Sequence, residues 1–393
     1  MSEAQAKTVR LTWFDSLRGI SILWIAIFHF FMAYDAGRHP WILGLASFPA
    51  FMEGCAPSSF LGTIGCALDG LLAAIFERGS QAVAVFVVAS GFGLTYSLVK
   101  KGVPQGGWSR WYQRRVLRLF PLYWLGHVIC LISPFVVLKD PIDYRFFLSF
   151  LGNRFYPPDT VFYYLVPAWW YFGLLIQLYV VFPLLFRLMQ KLGPARFLVL
   201  SILATIVVRF LLVDVFQANS DYAQGAFFMG RLWEFATGMV LASYYAEHPG
   251  LVEERLFAVR TLMAGIVIYV LGVYSYQPVF FHVFTDGFIG TGLTIILAHC
   301  ARWFDRMVIV RSALVTVGAY SYGLYLLHQP YVIYFGEHLR EEPMLHFVLY
   351  AFLILGIITI LSMLIEWYLN YLTNMLFSQA KTNPPAKTEE KTP

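Results

Sequence analysis

The sequence predicts an all-α integral membrane protein with about ten transmembrane helices and both termini in the cytoplasm. Three observations predict this fold class. Hydrophobic residues make up 59% of the 393 residues and charged residues only 13%, against roughly 25% charged in an average soluble domain. Several apolar runs reach the roughly 20 residues that span a bilayer. The basic residues are also divided unevenly between the loops on the two sides.

Ten apolar segments account for most of the chain. In chain order the predicted spans are 12–34, 80–99, 116–138, 168–189, 197–216, 226–246, 261–277, 284–303, 313–336 and 346–372. Together they form one transmembrane domain, 1–377, without internal repeats. Within it, the segment 35–79 is predicted to be a cap on the outer face, built from short helices or a re-entrant element, because its apolar run 41–52 is too short to cross.

The basic residues orient this domain. With the N-terminus in the cytoplasm, the inner loops and their flanks carry 19 of the 28 Lys and Arg residues, and three more lie within spans. The outer loops carry only Arg38, Arg78, Lys139, Arg145, Arg154 and Arg340. Because cytoplasmic loops are enriched in Lys and Arg, both termini are predicted to be cytoplasmic. The tail 378–393, rich in Lys, Thr, Pro and Glu, is predicted to be disordered there.

The four cysteines show no metal-ligand spacing, and no metal site is predicted. Cys130 and Cys300 lie in apolar spans, where a free thiol packs as a small hydrophobic group. Cys55 and Cys66 share the outer cap and are able to pair if that compartment is oxidising. The net charge of +5 is small for this length, so nucleic acid is not a predicted partner.

Ionisable residues inside the membrane are the first candidates for function, because burying a charge there is costly. Arg18 and His29 stand 11 residues apart in the first span, close to three helical turns, so they share one face about 16 Å apart along the axis. Asp15 can pair with Arg18 along the helix. The alternative is that Arg18 extends toward the cytoplasmic surface and that His29 is a structural residue.

Five stretches of the chain, taken in order, resemble the acyltransferase 3 family. The first, FDSLRGISILWIAIFH (14–29), contains the family's Arg followed by ten residues and a His. The other four are VFVVASGF (85–92), WYQRRVLRLFPLY (111–123), RLWEFATGMVLA (231–242) and SYGLYLLHQP (321–330). The resemblance covers nearly the whole chain. It implies transfer of an acyl group, usually acetyl from coenzyme A, to a hydroxyl of a carbohydrate or another envelope molecule.

Within this resemblance, the donor site is predicted where a cytoplasmic loop enters the third span. Arg114, Arg115 and Arg118 cluster there, and guanidinium groups suit the phosphates of acetyl-CoA. The alternative is that these arginines only anchor the topology. Ser90 and Gly91 are small enough to let a pantetheine arm approach, although close helix packing explains them equally well.

Two later spans supply further candidates. Arg231 and Glu234 are three residues apart and can neutralise each other, as a structural pair or in a catalytic or acceptor-orienting role, with Arg209 as a competitor for the same carboxylate. Tyr325 and His328 share a helical face with Ser321, so they are candidate substrate-binding residues beside His29, although packing is the commoner role for such a histidine.

The chain departs from the family at one position. Many members have Trp-Ser-Leu, then Glu, then Gln-Phe-Tyr, whereas this chain reads WYFGLLIQLY (170–179), with Leu175 in the Glu position. Glu234 is the plausible substitute for that carboxylate. No SGNH-type hydrolase domain, which some relatives carry, is recognised in the sequence. The acceptor is therefore expected to meet the membrane domain directly or through a separate partner.

The predicted mechanism has acetyl-CoA or another acyl-CoA entering from the cytoplasm and presenting its thioester near His29. His29 is then a general base or a transient acyl carrier, and an arginine stabilises the oxyanion. The expected setting is a bacterial inner membrane, with lipid, acyl-CoA and a carbohydrate or glycolipid as partners. The alternatives are a transporter or flippase, which also buries ionisable residues, and a non-catalytic binding protein.

Overall fold

The computed structural model describes residues 11–38, 49, 52–53, 60–136, 141–157, 161–219, 225–275 and 281–382. Within these ranges the chain is helical and has no β-strand. The described ranges contain fourteen α-helices, numbered here α1 to α14: Thr12–Asp35, Phe60–Glu77, Ala82–Lys101, Gly107–Ile132, Tyr144–Phe150, Trp170–Leu192, Pro194–Arg209, Leu232–Glu247, Pro249–Leu256, Val259–Tyr274, Thr285–Phe304, Val308–Ala319, Ser321–His338 and Met344–Thr382. The all-α membrane prediction is confirmed by this architecture.

Seven helical segments in the described part are long and apolar enough to cross a bilayer, or eight if α9 and α10, bent by 62°, make one span. Each of the ten predicted spans overlaps a helix. The sixth, seventh and ninth predicted spans are not single helices long enough to cross a bilayer. Helices α8 and α10, in the sixth and seventh spans, have only 16 residues each, and the ninth span is interrupted between α12 and α13. The count of ten and the cytoplasmic termini stay predictions.

The second span begins earlier than predicted. Helices α2 and α3, joined by the 3₁₀ turn Arg78–Gln81, form one helical segment of 40 residues, Gly62–Lys101. Such a segment is about 60 Å long, about twice the hydrocarbon thickness of a bilayer. Part of the predicted cap is therefore this helix, which packs along α1, with Trp24 Nε1 donating to the Ile75 carbonyl at 2.7 Å. Most of the segment 39–59 lies outside the described residues.

The chain ends and cysteines add three observations. Helix α14 continues to Thr382, so the first residues of the predicted tail are helical, and 383–393 lie outside the described residues. Cys130 and Cys300 are free thiols, as predicted for cysteines in apolar spans. Cys66 is disulfide-bonded, and its predicted partner, Cys55, lies outside the described residues.

Helix α1 is the centre of the bundle and packs against α3, α11, α12 and α13. Beside it, α3 and α8 approach so closely that their backbones touch. A Cβ on Gly238 would overlap the Val88 carbonyl, and a Cβ on Gly91 would overlap the Phe235 carbonyl. Within a bilayer the hydrophobic effect does not drive helices together, so close van der Waals packing at small residues stabilises their association. Gly91 is thus a packing residue, one of the two roles weighed for the Ser90 and Gly91 pair.

Replacing Gly238 with alanine is expected to destabilise the bundle by about 1–3 kcal/mol, because the added methyl must push α8 away from α3. Thermal unfolding of the purified protein in detergent measures the effect. Gly93→Ala is the matched control, since Gly93 lies on α3 with nothing within 4 Å of the new Cβ. Equal unfolding temperatures for Gly238→Ala and the wild type would contradict the close packing.

Arg154, which the sequence assigns to an outer loop, is buried against the bundle. Its side chain is fully buried, donates from Nε to Tyr123 Oη at 3.1 Å and from Nη1 to the Tyr164 carbonyl, and lies 5.2 Å from the Trp169 ring. The loop between α5 and α6 therefore folds back onto the bundle. Trp169 continues this contact by donating from Nε1 to the Leu326 carbonyl at 2.9 Å.

Candidate active site

A cavity of about 330 Å³ lies between α1, α3, α4, α6 and α13. Six of the ten predicted site residues line it, namely Arg18, His29, Ser90, Arg115, Arg118 and Tyr325. The other four, Arg114, Arg231, Glu234 and His328, do not. The structure therefore brings side chains from five different helices to one place.

His29 and His328 form a hydrogen-bonded pair at one end of the cavity. His328 Nδ1 lies 2.8 Å from the Leu324 carbonyl and 3.0 Å from the Tyr325 carbonyl. A carbonyl oxygen only accepts, so His328 Nδ1 carries a proton, and in the neutral ring its Nε2 is an acceptor. That Nε2 lies 3.1 Å from His29 Nδ1. His29 must therefore donate from Nδ1.

A second contact supports the same tautomer of His29. Its Nδ1 also lies 3.0 Å from the Ile25 carbonyl, which again requires a proton on that nitrogen. The lone pair of the neutral ring is then on Nε2. Among the residues that the structure describes, nothing forms a hydrogen bond with His29 Nε2, and the side chain lines the cavity. His29 is thus arranged to accept a proton from a molecule in the cavity.

His328 does not line the cavity, although its helical face allowed this, and its contacts fit the packing role that was the favoured alternative. Its bonds to two carbonyls of its own helix hold the ring against α13, so that it lies behind His29. Tyr325 lines the cavity with its ring, while its hydroxyl donates to the Ala168 carbonyl at 3.0 Å and accepts from the Phe172 N–H at 2.9 Å. These contacts occupy that hydroxyl within the protein.

The Arg18 side chain extends from α1 to the start of α13. At this point the ninth predicted span is interrupted at Tyr320. Its Nη2 donates to Ser321 Oγ at 2.8 Å, and its Nη1 lies 3.8 Å from Asp15 Oδ1, the pairing that the spacing predicted. Interrupted membrane helices are tolerated only where protein or a polar cavity surrounds the exposed backbone. Here both the arginine and the interruption face the cavity.

Arg115 and Arg118 join Arg18 in the cavity wall. The Arg115 guanidinium lies 5.1 Å from the Trp111 ring and 5.9 Å from the Tyr179 ring, and its Nε is buried with no hydrogen-bond partner in the described part of the chain. Arg114 is exposed and does not line the cavity. Of the three guanidinium groups in the cavity wall, only that of Arg18 has a carboxylate, Asp15, within 4 Å among the described residues, so this end of the cavity is suited to an anion.

A family model described as an acyltransferase domain, acyltransferase 3, matches residues 11–367. The chain belongs to the acyltransferase 3 family. No curated protein and no solved structure matches it. The match runs from α1 into α14 and contains every residue of the cavity, so this membrane acyltransferase has its candidate active site within the family's domain.

In this acyltransferase the family's Glu position is part of the cavity wall. Leu175 lines the cavity, as does Tyr171 one helical turn before it. The Tyr171 hydroxyl lies 3.1 Å from Ser90 Oγ, so Ser90 faces the cavity while its neighbour Gly91 packs against α8. The wall therefore presents a pair of hydroxyl groups and an apolar side chain, where an acidic side chain was expected from the family pattern.

Glu234 belongs to a separate ionic cluster. Arg231 Nη1 lies 2.9 Å from Glu234 Oε1, the predicted pair, and 2.6 Å from Asp286 Oδ1. Arg209 pairs with Asp286 Oδ2 at 2.5 Å. None of these four side chains lines the cavity, and the cluster joins α7, α8 and α11. Its geometry fits the structural role that was weighed for the Arg231 and Glu234 pair.

Three residues of interest were missed by sequence reasoning. Asp286 and Glu366 are ionisable residues inside predicted spans, and that position alone was enough to identify them as candidates. Tyr171 gave no such signal, because tyrosine is common in membrane helices. Among the described residues, no group of three or more His, Cys, Asp or Glu side chains is arranged to hold a metal ion.

Proposed function

We propose that this membrane acyltransferase moves an acyl group, acetyl from acetyl-CoA, to a hydroxyl of an envelope carbohydrate or glycolipid in the bacterial inner membrane. One observation carries the proposal. The same cavity has three guanidinium groups toward one end and an imidazole with a free acceptor nitrogen toward the other. A donor with phosphates at one end and a thioester at the other matches this order of groups along the cavity.

Arg18, Arg115 and Arg118 would hold the phosphates of the donor. Guanidinium groups form paired, charge-assisted hydrogen bonds with phosphate oxygens, and all three of these side chains line the cavity. Arg18 and His29 are 11 residues apart on one face of α1, about 16 Å along the axis. The narrow part of the donor would lie along this face, passing the small side chain of Ser90.

His29 Nε2 would act as the general base. It takes the proton from the acceptor hydroxyl as the oxygen attacks the thioester carbonyl, and the C–O bond forms. When the C–S bond breaks, the leaving thiolate receives that proton from the imidazolium, so neutral imidazole is restored. His328 accepts the hydrogen bond from His29 Nδ1–H throughout and keeps Nε2 directed at the substrate.

Binding of radiolabelled acetyl-CoA to the purified full-length protein tests the donor. We expect saturable binding that unlabelled coenzyme A displaces and that weakens with salt, because the contacts are ionic. Mass spectrometry of envelope glycans from cells with and without the protein then identifies the acceptor. Absence of acetyl-CoA binding, with the protein folded, would rule out the donor.

Arg118→Ala is expected to weaken acetyl-CoA binding by roughly ten- to a hundredfold, because it removes a charged hydrogen-bond donor to phosphate. The matched control is Arg110→Ala, which removes an exposed arginine two turns earlier on α4 whose Nη1 contacts Gln113. Arg114→Ala is expected to have a smaller effect than Arg118→Ala, since Arg114 does not line the cavity. Equal losses in all three variants would point to general surface charge instead of a phosphate site.

A further inference from the structure

Helix α14 carries a buried carboxylate that the proposed reaction does not use. Glu366 is the one acidic residue between 344 and 382, and its side chain is only 6% exposed. It does not line the cavity. A carboxylate at membrane depth is costly unless the protein gives it partners, so its contacts indicate its role.

The main contact of Glu366 is with the start of α13. Its Oε2 accepts a hydrogen bond from the Gly323 N–H at 2.7 Å. Gly323 is the third residue of α13, and the first N–H groups of a helix have no partner within the helix. Because the ninth span is interrupted at Tyr320, this helix start lies inside the bundle, where lipid offers no acceptor. Glu366 therefore caps α13 from another helix.

Gly323 makes this contact possible. A Cβ at this position would lie 2.8 Å from the Ser362 carbonyl and 2.9 Å from Glu366 Oε2. Any side chain would therefore push α13 and α14 apart. The negative carboxylate is also favourable at the positive end of the α13 dipole. The two helices are joined at this point by a specific polar contact in addition to apolar packing.

The capped turn leads directly to the arginines of the cavity. Ser321, two residues before Gly323, accepts the hydrogen bond from Arg18 Nη2 at 2.8 Å. Glu366 also attracts both Arg18 and Arg118 electrostatically. A single buried carboxylate thus fixes the turn that orients Arg18 and partly balances the charge of the arginine cluster.

We propose that Glu366 is a positioning residue for the donor site. By capping α13 it holds Ser321, and through Ser321 it holds Arg18, in the geometry that receives the donor's phosphates. The inference rests on the proposed function, because it assumes that the arginine end of the cavity binds acyl-CoA. It adds a residue that has no contact with the donor and acts only through α13.

The test compares two substitutions with one control in the full-length protein. Glu366→Leu removes the acceptor and is expected to weaken binding of radiolabelled acetyl-CoA roughly tenfold, the loss expected for a missing helix cap. Glu366→Gln keeps an oxygen acceptor for the Gly323 N–H and is expected to bind within about threefold of wild type. Thr359→Val on the same helix is the control, since the Thr359 hydroxyl is buried with no hydrogen-bond partner among the described residues.

Transfer of label to envelope material in membrane vesicles, at saturating acetyl-CoA, is the second measurement. A positioning role at the donor site predicts that Glu366→Leu changes binding much more than the saturated rate, whereas general unfolding lowers both. Wild-type binding in Glu366→Leu, or equal losses in the Leu and Gln variants, would overturn the inference. If the wild-type protein itself binds no acetyl-CoA, the proposed function fails instead.

Discussion

Replacing His29 with alanine is expected to abolish acyl transfer while the protein stays folded and binds acetyl-CoA. The substitution removes the nitrogen proposed to take the hydroxyl proton, and general base catalysis contributes roughly 10²–10⁴-fold to a rate. Donor binding should survive, because Arg18 lies about 16 Å from His29 along α1 and Arg115 and Arg118 belong to another helix. Label transferred from acetyl-CoA to envelope material in membrane vesicles measures the rate.

His299→Ala is the matched control for this variant. His299 also lies in a membrane helix and also contacts the carbonyl four residues earlier, with Nδ1 3.0 Å from the Ile295 carbonyl. It does not line the cavity. We expect His299→Ala to retain transfer, which separates loss of the base from loss of a buried histidine in general. Normal acylation by His29→Ala would eliminate His29 as the catalytic residue.

The two chemical roles weighed for His29 can be separated in the same system. If His29 is an acyl carrier, incubating the purified protein with labelled acetyl-CoA in the absence of acceptor should leave acyl label on His29. A general base predicts no such labelling, because the hydroxyl attacks the thioester directly. The proposed mechanism therefore expects unlabelled protein in this measurement.

His328→Leu is expected to have the second largest effect, a loss of roughly 10²-fold or more in the saturated transfer rate with donor binding unchanged. Leucine removes one of the two acceptors of His29 Nδ1–H and leaves the Ile25 carbonyl alone, so the Nδ1–H tautomer and the ring orientation are held less firmly. An incorrect tautomer removes the base function even when the ring is present. A lower saturated transfer rate with unchanged donor binding distinguishes loss of His29 orientation from damage to the fold, which would lower both.

His328→Gln tests the same idea by partial rescue. A glutamine carbonyl oxygen can accept from His29 Nδ1–H, so this variant is expected to be more active than His328→Leu. If His328 instead bound substrate directly, both substitutions should weaken acceptor or donor binding. Similar rates for the Leu and Gln variants would therefore argue against control of the His29 tautomer.

Sequence periodicity was informative within each helix and much less so between helices. It predicted that Arg18 and His29 share a face of α1, and both line the cavity. It predicted the same for Tyr325 and His328, yet His328 lies behind His29, because hydrogen bonds to its own helix turn the ring. Helical periodicity thus predicts the side of the helix from which a side chain projects, whereas the packing of neighbouring helices determines which groups that side chain contacts.

Assignment to an outer loop does not determine whether a basic side chain is exposed. Arg154 was counted with the outer basic residues, but it is buried between the loop carbonyls and Trp169. The cost of burying its charge is offset by contacts that come from residues up to 31 positions away in the chain. Such contacts leave no local pattern from which they could be predicted.

The sequence by itself determined that this is an all-α membrane protein, which family it resembles, and which face of α1 carries the candidate chemistry, because hydropathy and helical period are local properties of the chain. Only the tertiary structure decided that His328 forms a hydrogen bond with His29 Nδ1, that Glu234 belongs to a separate cluster with Asp286, and that Glu366 caps α13. Each of these contacts joins residues far apart in sequence, and each depends on how two helices cross.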